Sequence, residues 1–203
     1  MGLDKANICS YNKGAQSFTL RERLTMDTYE KVKVLGKSAQ YDVCGEACGT
    51  EASRVRDELG RWIYPAVMPD GRRVKLLKVL QSNACTNDCY YCANRVGRDC
   101  PRLSFSPDEL ARAFDQMHHR GLVEGLFLSS AICGGPAQAM DLMLATVELV
   151  RRKYQFRGYI HLKILPGVTL AHVEQAVRLA SRLSVNVEAP NSKWLARIAP
   201  GKL

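Results

Sequence analysis

The sequence lacks the features that mark several common classes of protein. No apolar run in its 203 residues approaches the roughly 20 residues that a membrane-spanning helix needs. The first residues do not show the charged and then apolar layout of a secretion signal. No Ser-His-Asp order, phosphate-binding P-loop, repeat or low-complexity tract is present. We therefore expect a soluble cytoplasmic protein without a membrane partner, and neither serine-hydrolase nor P-loop chemistry.

Acidic residues are in the minority. The chain has 20 Asp and Glu against 29 Lys and Arg, which is a formal net charge of +9. This excess permits binding to a polyanion such as a nucleic acid, although net charge says nothing about specificity. The basic run 151–153 suits the negative end of a predicted helix. Five other arginines flank the cysteine-rich part of the chain: Arg72, Arg73, Arg95, Arg98 and Arg102.

The eight cysteines carry the strongest signal in the chain. Without a secretion signal they are expected to be reduced thiols rather than disulfides. Three of them, Cys85, Cys89 and Cys92, follow an apolar segment with the spacing C-x3-C-x2-C. One short loop therefore supplies three thiolates and no fourth, which would leave one iron of a four-iron cluster with an open position. An open position on a metal is typical of catalytic rather than structural sites.

Two other interpretations of this loop stay open. A structural zinc site needs four ligands, usually as two separated pairs, and Cys100 follows Cys92 by a linker unlike the usual spacing. Three core cysteines could also cluster by chance. Cys44 and Cys48 could form half of an auxiliary cluster, but two cysteines are too few alone. We expect a flexible glycine-containing loop at those two positions.

The cysteine loop, with Tyr91 directly before its last cysteine, resembles the signature loop of the radical S-adenosylmethionine (radical SAM) enzymes. Four further stretches resemble the subgroup described as DNA modification or repair radical SAM proteins: Leu76–Gln81, Gly125–Ser130, Gly158–Lys163 and Leu183–Pro190. The resemblance covers nearly the whole chain, and only the cysteine loop is a highly specific motif.

This resemblance implies a cofactor set and a reaction. The three cysteines would hold a [4Fe–4S] cluster whose fourth iron binds the amino and carboxylate groups of S-adenosylmethionine, with Tyr91 near the adenine. The reduced cluster would pass an electron to S-adenosylmethionine, the S–C5′ bond would break, and a 5′-deoxyadenosyl radical would abstract hydrogen from a substrate. A flavodoxin- or ferredoxin-like protein would supply the electron. The family description and the positive charge favour a nucleic acid or nucleotide as substrate, and a small-molecule or peptide substrate stays open.

From about residue 74 the sequence alternates strand and helix, the pattern of parallel sheets with crossover helices. The predicted strands are Val74–Gln81, Leu126–Ser130, Tyr159–Leu165 and Arg182–Glu188. The predicted helices begin at the capping box Ser106–Glu109, at about Met140, after Thr169 and at Asn191. We therefore expect an α/β fold, namely a partial (βα) barrel of the radical SAM type with about four βα units.

Residues 1–73 are predicted as an N-terminal extension to a core of residues 74–203. The extension would contain a helix over Tyr29–Gln40 and an arm over Trp62–Met68 that a turn joins to the first core strand. The resemblance implies about six βα units, and a fourth strand at the end would keep an unpaired edge. We therefore expect a chain truncated at its C-terminus, or else a minimal barrel completed by a partner or a second copy.

Polar residues alternate with apolar ones in the last two predicted strands. His161 and Lys163 alternate in the third strand, and Ser184, Asn186 and Glu188 alternate in the fourth. A parallel strand covered on both faces should be a nearly continuous apolar sequence. The alternation therefore indicates a polar interior that faces a ligand. For the fourth strand, exposure of an edge to water is the alternative.

Further candidates for cofactor binding follow the strands at their carboxyl ends, where functional residues of parallel barrels collect. Ser129 and Ser130 end the second strand and could hydrogen-bond the methionine portion of S-adenosylmethionine. The resemblance places Asn186 and Glu188 near its ribose or methionine, and Lys163 could neutralise a carboxylate or phosphate. The alternative function is a noncatalytic iron–sulfur or nucleic-acid-binding module, or an inactive fragment of a longer enzyme.

Overall fold

Five strands form one mixed sheet in the part of the chain that the structure describes. The structure is a computed structural model, and it describes residues 28–40, 63–68 and 70–202. The strands are β1 (Ile63–Val67), β2 (Arg73–Leu80), β3 (Gly125–Ser129), β4 (Tyr159–Ile164) and β5 (Arg182–Val185). They lie side by side in chain order, with β1 antiparallel to β2 and all other neighbours parallel. This arrangement confirms the predicted α/β class and parallel core.

Helices join the parallel strands. The α-helices of the described residues are α1 (Thr28–Ala39), α2 (Pro107–His119), α3 (Pro136–Arg152), α4 (Leu170–Leu179) and α5 (Ser192–Ile198), followed by a 3-10 turn at Pro200–Lys202. Helix α2 connects β2 to β3, α3 connects β3 to β4, and α4 connects β4 to β5. Each is therefore a crossover helix of the kind that parallel strands require. Within the described ranges, none of the helices has the length and hydropathy needed to cross a membrane.

Three helices begin at the caps that the sequence predicts. For α2, the backbone N–H of Glu109 donates to Ser106 Oγ (3.3 Å), and the backbone N–H of Ser106 donates to Glu109 Oε2 (3.4 Å). Thr169 is the N-cap of α4. Asn191 caps α5 by accepting a hydrogen bond from the Trp194 N–H (3.1 Å). The Ser106 and Asn191 side chains satisfy backbone donors that the first helical turn leaves without a partner.

The predicted start of α3 at about Met140 is wrong. The helix begins at Pro136 and ends at Arg152. Its N-cap is Gly135, which has no side chain to bond the first turn, so the sequence carries no capping signal there. Proline fits the first helical position because its φ is already helical and its missing N–H would have no partner.

The last strand is shorter than predicted. Strand β5 pairs with β4 from Arg182 to Val185, and the predicted extension to Glu188 is wrong. Because β4 ends at Ile164, no paired backbone continues beside the following residues. Glu188 itself has a φ of +63°, a left-handed conformation that a strand does not contain. On its other side β5 has no strand partner among the described residues, as the predicted edge requires.

The predicted arm before the core is part of the same sheet. Strand β1 forms an antiparallel hairpin with β2, and the turn is closed by Asp70, which accepts hydrogen bonds from the backbone N–H and Nε of Arg72 (3.0 and 2.7 Å). Trp62 lies outside the described residues, as do Cys44 and Cys48. The predicted division between residues 73 and 74 falls within β2, and a separate extension stays a prediction.

The two faces of the sheet differ in character. One face is apolar and packs against the helices; buried residues on it include Leu77, Val79, Leu126, Leu128, Ile160 and Leu162. On the opposite face, register places Lys78, Phe127 and His161 side by side across three strands. Lys163 lies on that face two residues beyond His161. The structure thus confirms that the polar positions of β4 share one face, and that they are buried.

Replacing Leu144 by Ala should lower the free energy of unfolding by about 2–5 kcal/mol, because the truncation leaves a cavity in the core. Leu144 lies on α3 and is 2% exposed. The matched control is Leu142→Ala on the same helix, where the side chain is 37% exposed. The control should cost less than about 1 kcal/mol. Urea unfolding followed by circular dichroism measures both values, and equal losses would contradict the packing of α3 described above.

Candidate cofactor site

A cavity of about 180 Å³ lies at the carboxyl ends of the parallel strands, beside the loop that follows β2. All nine residues that the sequence analysis selects as cofactor or metal ligands line it: Cys85, Cys89, Tyr91, Cys92, Ser129, Ser130, Lys163, Asn186 and Glu188. The carboxyl ends of parallel strands meet at one edge of a sheet, which explains why distant sequence positions converge here. The structure therefore brings the predicted residues together, although their individual roles stay predictions.

Arg102 holds the cysteine loop in shape from within. Its Nη1 donates to the carbonyl oxygens of Asn83 (2.6 Å) and Asn94 (2.7 Å), and its Nη2 donates to those of Arg95 (2.7 Å) and Arg98 (3.2 Å). One planar guanidinium thus joins backbone before the first cysteine to backbone after the last. Sequence reasoning noted Arg102 only as part of the positive charge near the loop, whereas its structural role depends on carbonyls that the fold gathers.

Two further anchors fix the ends of the loop. The Asn83 side chain accepts a hydrogen bond from the Leu103 N–H (2.8 Å) and donates to the Pro101 carbonyl (2.8 Å). Thr86 donates from its backbone N–H (2.9 Å) and its hydroxyl (3.1 Å) to the carbonyl of Ile132. The second anchor ties the cysteine loop to the segment after β3. These contacts explain how an irregular loop keeps buried polar groups satisfied.

The three cysteines of the loop are free thiols that share the cavity. Cys89 is buried, whereas Cys85 and Cys92 are partly buried. Burial raises the pKa of the Cys89 and Cys92 thiols, since a thiolate loses hydration there. The backbone N–H of Asn94 points at Cys92 Sγ (3.3 Å) and would stabilise a thiolate at that sulfur.

The donor set is suited to an iron–sulfur cluster. Thiolates are the usual ligands of such clusters, and the three cysteines of the loop line one cavity. Among the described residues, no group of three or more His, Cys, Asp or Glu side chains is placed to hold a single metal ion. Three soft sulfur donors beside a cavity therefore match the group that the cysteine spacing predicts.

A hydrogen-bond network forms the opposite wall of the cavity. Lys202 Nζ donates to Glu188 Oε1 (2.9 Å) and to Tyr91 Oη (3.0 Å), and Asn186 Nδ2 donates to Glu188 Oε1 (3.2 Å). Burial alone would raise the pKa of Glu188, but the hydrogen bonds from Lys202 and Tyr91 outweigh it and leave that pKa lowered. Burial and the neighbouring Glu188 raise the pKa of Tyr91. Lys202 was missed by sequence reasoning because no motif surrounds it.

The buried polar face of the sheet continues below the cavity. Burial lowers the pKa of Lys163, and the nearby Glu188 carboxylate acts in the opposite direction. His161 Nε2 lies 2.7 Å from Ser184 Oγ, and its ring packs edge-on against Phe127 at a centroid distance of 4.7 Å. The Ser130 hydroxyl donates to the adjacent Ala131 carbonyl (2.8 Å). His161 and Ser130 therefore already have hydrogen-bond partners within the protein.

Comparison with protein families identifies this architecture. The model of the Radical SAM superfamily matches residues 79–202, more than half of the chain. The chain belongs to the radical SAM superfamily. Strands β2 to β5 with their crossover helices are thus part of a radical SAM (βα) architecture. The match is to the superfamily as a whole, and the DNA modification or repair subgroup stays a prediction.

The radical SAM assignment rests on the family match, and comparisons with curated sequences and with solved structures do not refine it. No curated protein sequence matches the chain significantly. Among solved structures, the crystal structure of HydG, a maturase of the [FeFe]-hydrogenase, resembles it with a TM-score of 0.48 and 16% sequence identity. That alignment covers 60% of this chain and 27% of the HydG chain. At this level of similarity HydG supports no inference about the reaction.

Replacing Arg102 by Ala should destabilise this radical SAM domain by about 2–4 kcal/mol, because four carbonyl groups, three of them in part-buried contacts, lose a charged donor. Arg102→Lys should recover only part of this loss, since an ammonium group does not offer the planar fork that reaches all four carbonyls. Arg98→Ala is the matched control, because it leaves the backbone acceptor of Arg102 in place. Urea unfolding measures the three variants. A loss for Arg98→Ala as large as for Arg102→Ala would contradict the role of the guanidinium.

Acidification should destabilise the domain through His161. Burial, then the charges of Arg182 and Lys78, lower the pKa of His161 from 6.5 to about 4. Between pH 6.5 and about 4, His161 is therefore protonated in the unfolded chain and neutral in the folded chain. The contribution of His161 to the free energy of unfolding is complete above pH 6.5 and is lost as the pH falls to about 4. The loss should approach roughly 1.4 kcal/mol per pH unit within that window.

Urea unfolding of the His161→Gln variant across the same pH window tests the assignment. The variant should lose most of the pH dependence. His119→Gln is the control, because the His119 side chain is 72% exposed and should leave the slope as it is in the natural protein. An unchanged slope in His161→Gln would show that another group is responsible.

Proposed function

We propose that this chain is a radical SAM enzyme that uses a [4Fe–4S] cluster to cleave S-adenosylmethionine reductively and to abstract hydrogen from a substrate. One observation carries the proposal: Cys85, Cys89 and Cys92 line the same cavity as polar residues from the ends of three other segments. A metal cluster with an open coordination position beside a polar cavity is an arrangement suited to binding a second cofactor. Superfamily membership supports the same reaction class.

The chain's own residues would hold the two cofactors. Cys85, Cys89 and Cys92 would ligate the cluster, and the N–H of Asn94 would stabilise the Cys92 thiolate. When bound, the cofactors supply one-electron cleavage of a carbon–sulfur bond and the hydrogen abstraction that follows. The protein contributes orientation and the exclusion of water. A one-electron reductant, of flavodoxin or ferredoxin type, would be the partner.

Polar cavity residues would bind S-adenosylmethionine. Ser129 and Ser130 would contact its methionine portion, and Lys163, nearly buried, would face its carboxylate. Asn186 and Glu188 stand on the other side of the cavity, where their oxygens and amide suit ribose hydroxyls. Tyr91 is half exposed at the rim, where an aromatic ring can cover the adenine. The charge and hydrogen-bonding types of these residues support this distribution of roles.

For the substrate we propose a nucleic acid or nucleotide, as in DNA modification or repair. The net charge of +9 supports this class, because polyanion binding depends first on cationic side chains. A noncatalytic iron–sulfur or nucleic-acid-binding module is the competing function. The two functions differ in one product, since only the enzyme releases 5′-deoxyadenosine.

Anaerobic reconstitution of the protein with iron and sulfide tests the cofactor proposal. Replacing any one of Cys85, Cys89 or Cys92 by Ala should remove most of the bound iron and the visible absorbance of the cluster, because each sulfur holds a different iron. Cys100→Ala is the matched control: Cys100 is also a partly buried free thiol of this region, but it does not line the cavity. Full iron content in all three variants would reject the site.

The reconstituted natural protein should then release 5′-deoxyadenosine when S-adenosylmethionine and dithionite are added. Chromatography with mass detection measures this product, and the three cysteine variants serve as blanks. Iron binding without any 5′-deoxyadenosine would favour the noncatalytic module.

A further inference from the structure

A second and larger concavity lies at the opposite edge of the sheet from the cysteine loop. This groove has a volume of about 610 Å³ and lies where α3 and α4 end. Its lining is rich in cations and amides, and it consists of Glu148, Arg151, Arg152, Gln155, Arg157, Gln175, Arg178, Leu179 and Ala180. Four arginines against one glutamate leave a local charge of +3. We call this surface the arginine groove.

The arginines of the groove do not all serve the fold. Arg151 does, because its guanidinium donates to the carbonyls of Leu179 (2.9 Å), Phe156 (2.9 Å) and Gly158 (2.8 Å). This contact confirms a structural role for part of the basic run that ends the helix. Arg152 forms an ion pair with Glu148 (3.1 Å). The side chains of Arg157 and Arg178 lie on exposed residues at the rim of the groove.

Close contacts link the arginines of the groove to one another. Burial and the charge of Arg157 lower the pKa of Arg151, so the two guanidinium groups are close enough to repel each other. Gln155 has a φ of +53°, which is unfavourable for a residue other than glycine. In this conformation Gln155 accepts a hydrogen bond from Arg157 Nη2 (3.0 Å) and donates to the Arg152 carbonyl. The strained residue thus links two arginines of the groove.

The position of the groove separates it from the cofactor cavity. Gly158 and Ser181, which contact Arg151, directly precede β4 and β5, whereas Lys163 reaches the cofactor cavity from the other end of β4. Six residues of strand span about 20 Å. A ligand that engages both places must therefore be large, and a small ligand of the cofactor cavity does not reach the groove.

We infer that the arginine groove binds the phosphate backbone of a nucleic acid at a distance from the cofactor cavity. Several guanidinium groups in one concavity suit phosphate oxygens, to which each can donate two parallel hydrogen bonds. The described lining contains no aromatic ring on which a base could stack. The groove therefore favours sequence-independent backbone contacts over a nucleotide held by its base. The inference deepens the nucleic-acid part of the proposed function and rests on it.

Binding of a short fluorescent DNA duplex, measured by anisotropy at several salt concentrations, tests this inference. The double variant Arg157→Gln/Arg178→Gln should bind roughly 10- to 30-fold more weakly than the natural protein, and its salt slope should fall by about two, because two phosphate contacts are lost. The double variant Arg73→Gln/Arg112→Gln is the matched control. Both of these residues are exposed and lie outside the groove, so this variant removes the same net charge.

Each outcome decides a separate point. An equal loss of DNA affinity in both double variants would overturn the assignment of binding to the groove. Binding would then depend on net charge alone. Displacement of the duplex by a mononucleotide or by pyrophosphate at equal phosphate concentration would overturn the backbone assignment in favour of a small phosphate ligand. No binding by the natural protein would overturn the nucleic-acid proposal as well. Iron content and 5′-deoxyadenosine release are measured on the same preparations, so the radical SAM chemistry is judged independently.

Discussion

The parallel register of β2, β3 and β4 is the constraint on which the cofactor cavity depends. Leu80 pairs with Ser129, so the cysteine loop and the segment after β3 leave the sheet at the same level. Lys163 pairs with Ser184 near the same edge, which brings β4 and the chain after β5 to this level too. A shift of one residue in any of these pairs would turn the polar side chains to the helix-covered face, where their burial without partners would be costly.

Charge is distributed unevenly between the two edges of the sheet. At the carboxyl edge, Lys163 and Lys202 stand beside three thiols and one carboxylate, so cationic, anionic and neutral polar groups share one partly exposed cavity. At the amino edge, the arginines exceed their acidic neighbours, and Arg152, Arg157 and Arg178 are exposed to solvent. The mixed charges of the carboxyl edge suit a cofactor that carries both signs of charge. The exposed arginines of the amino edge suit an extended, hydrated anion. The proposed cofactor site and the proposed docking surface thus lie at opposite edges of one sheet.

The sequence predicted the ends of helices and strands correctly where the contacts that fix an end form between neighbouring residues. The Ser106–Glu109 capping box is an example, because both hydrogen bonds form within one helical turn. The prediction failed where no local signal exists. Gly135 gives no sign that α3 begins beside it, and the polar alternation that continues to Glu188 hides the left-handed turn that ends β5. Strand β5 ends at Val185 because its partner β4 ends at Ile164. That end therefore depends on a different strand and not on the local sequence of β5.

The candidate site divides in the same way. The sequence alone was enough to select the three cysteines that we propose as metal ligands, because one loop carries them and their spacing sets how many sulfurs it can offer. The sequence also determined that β4 has a polar face, since side chains of a strand alternate between two sides. Only the tertiary structure showed which residues share the cavity, that Arg102 spans the cysteine loop, and that Lys202 binds Glu188. Such contacts join residues far apart in the chain, so they depend on how strands and helices pack, and no local pattern encodes them.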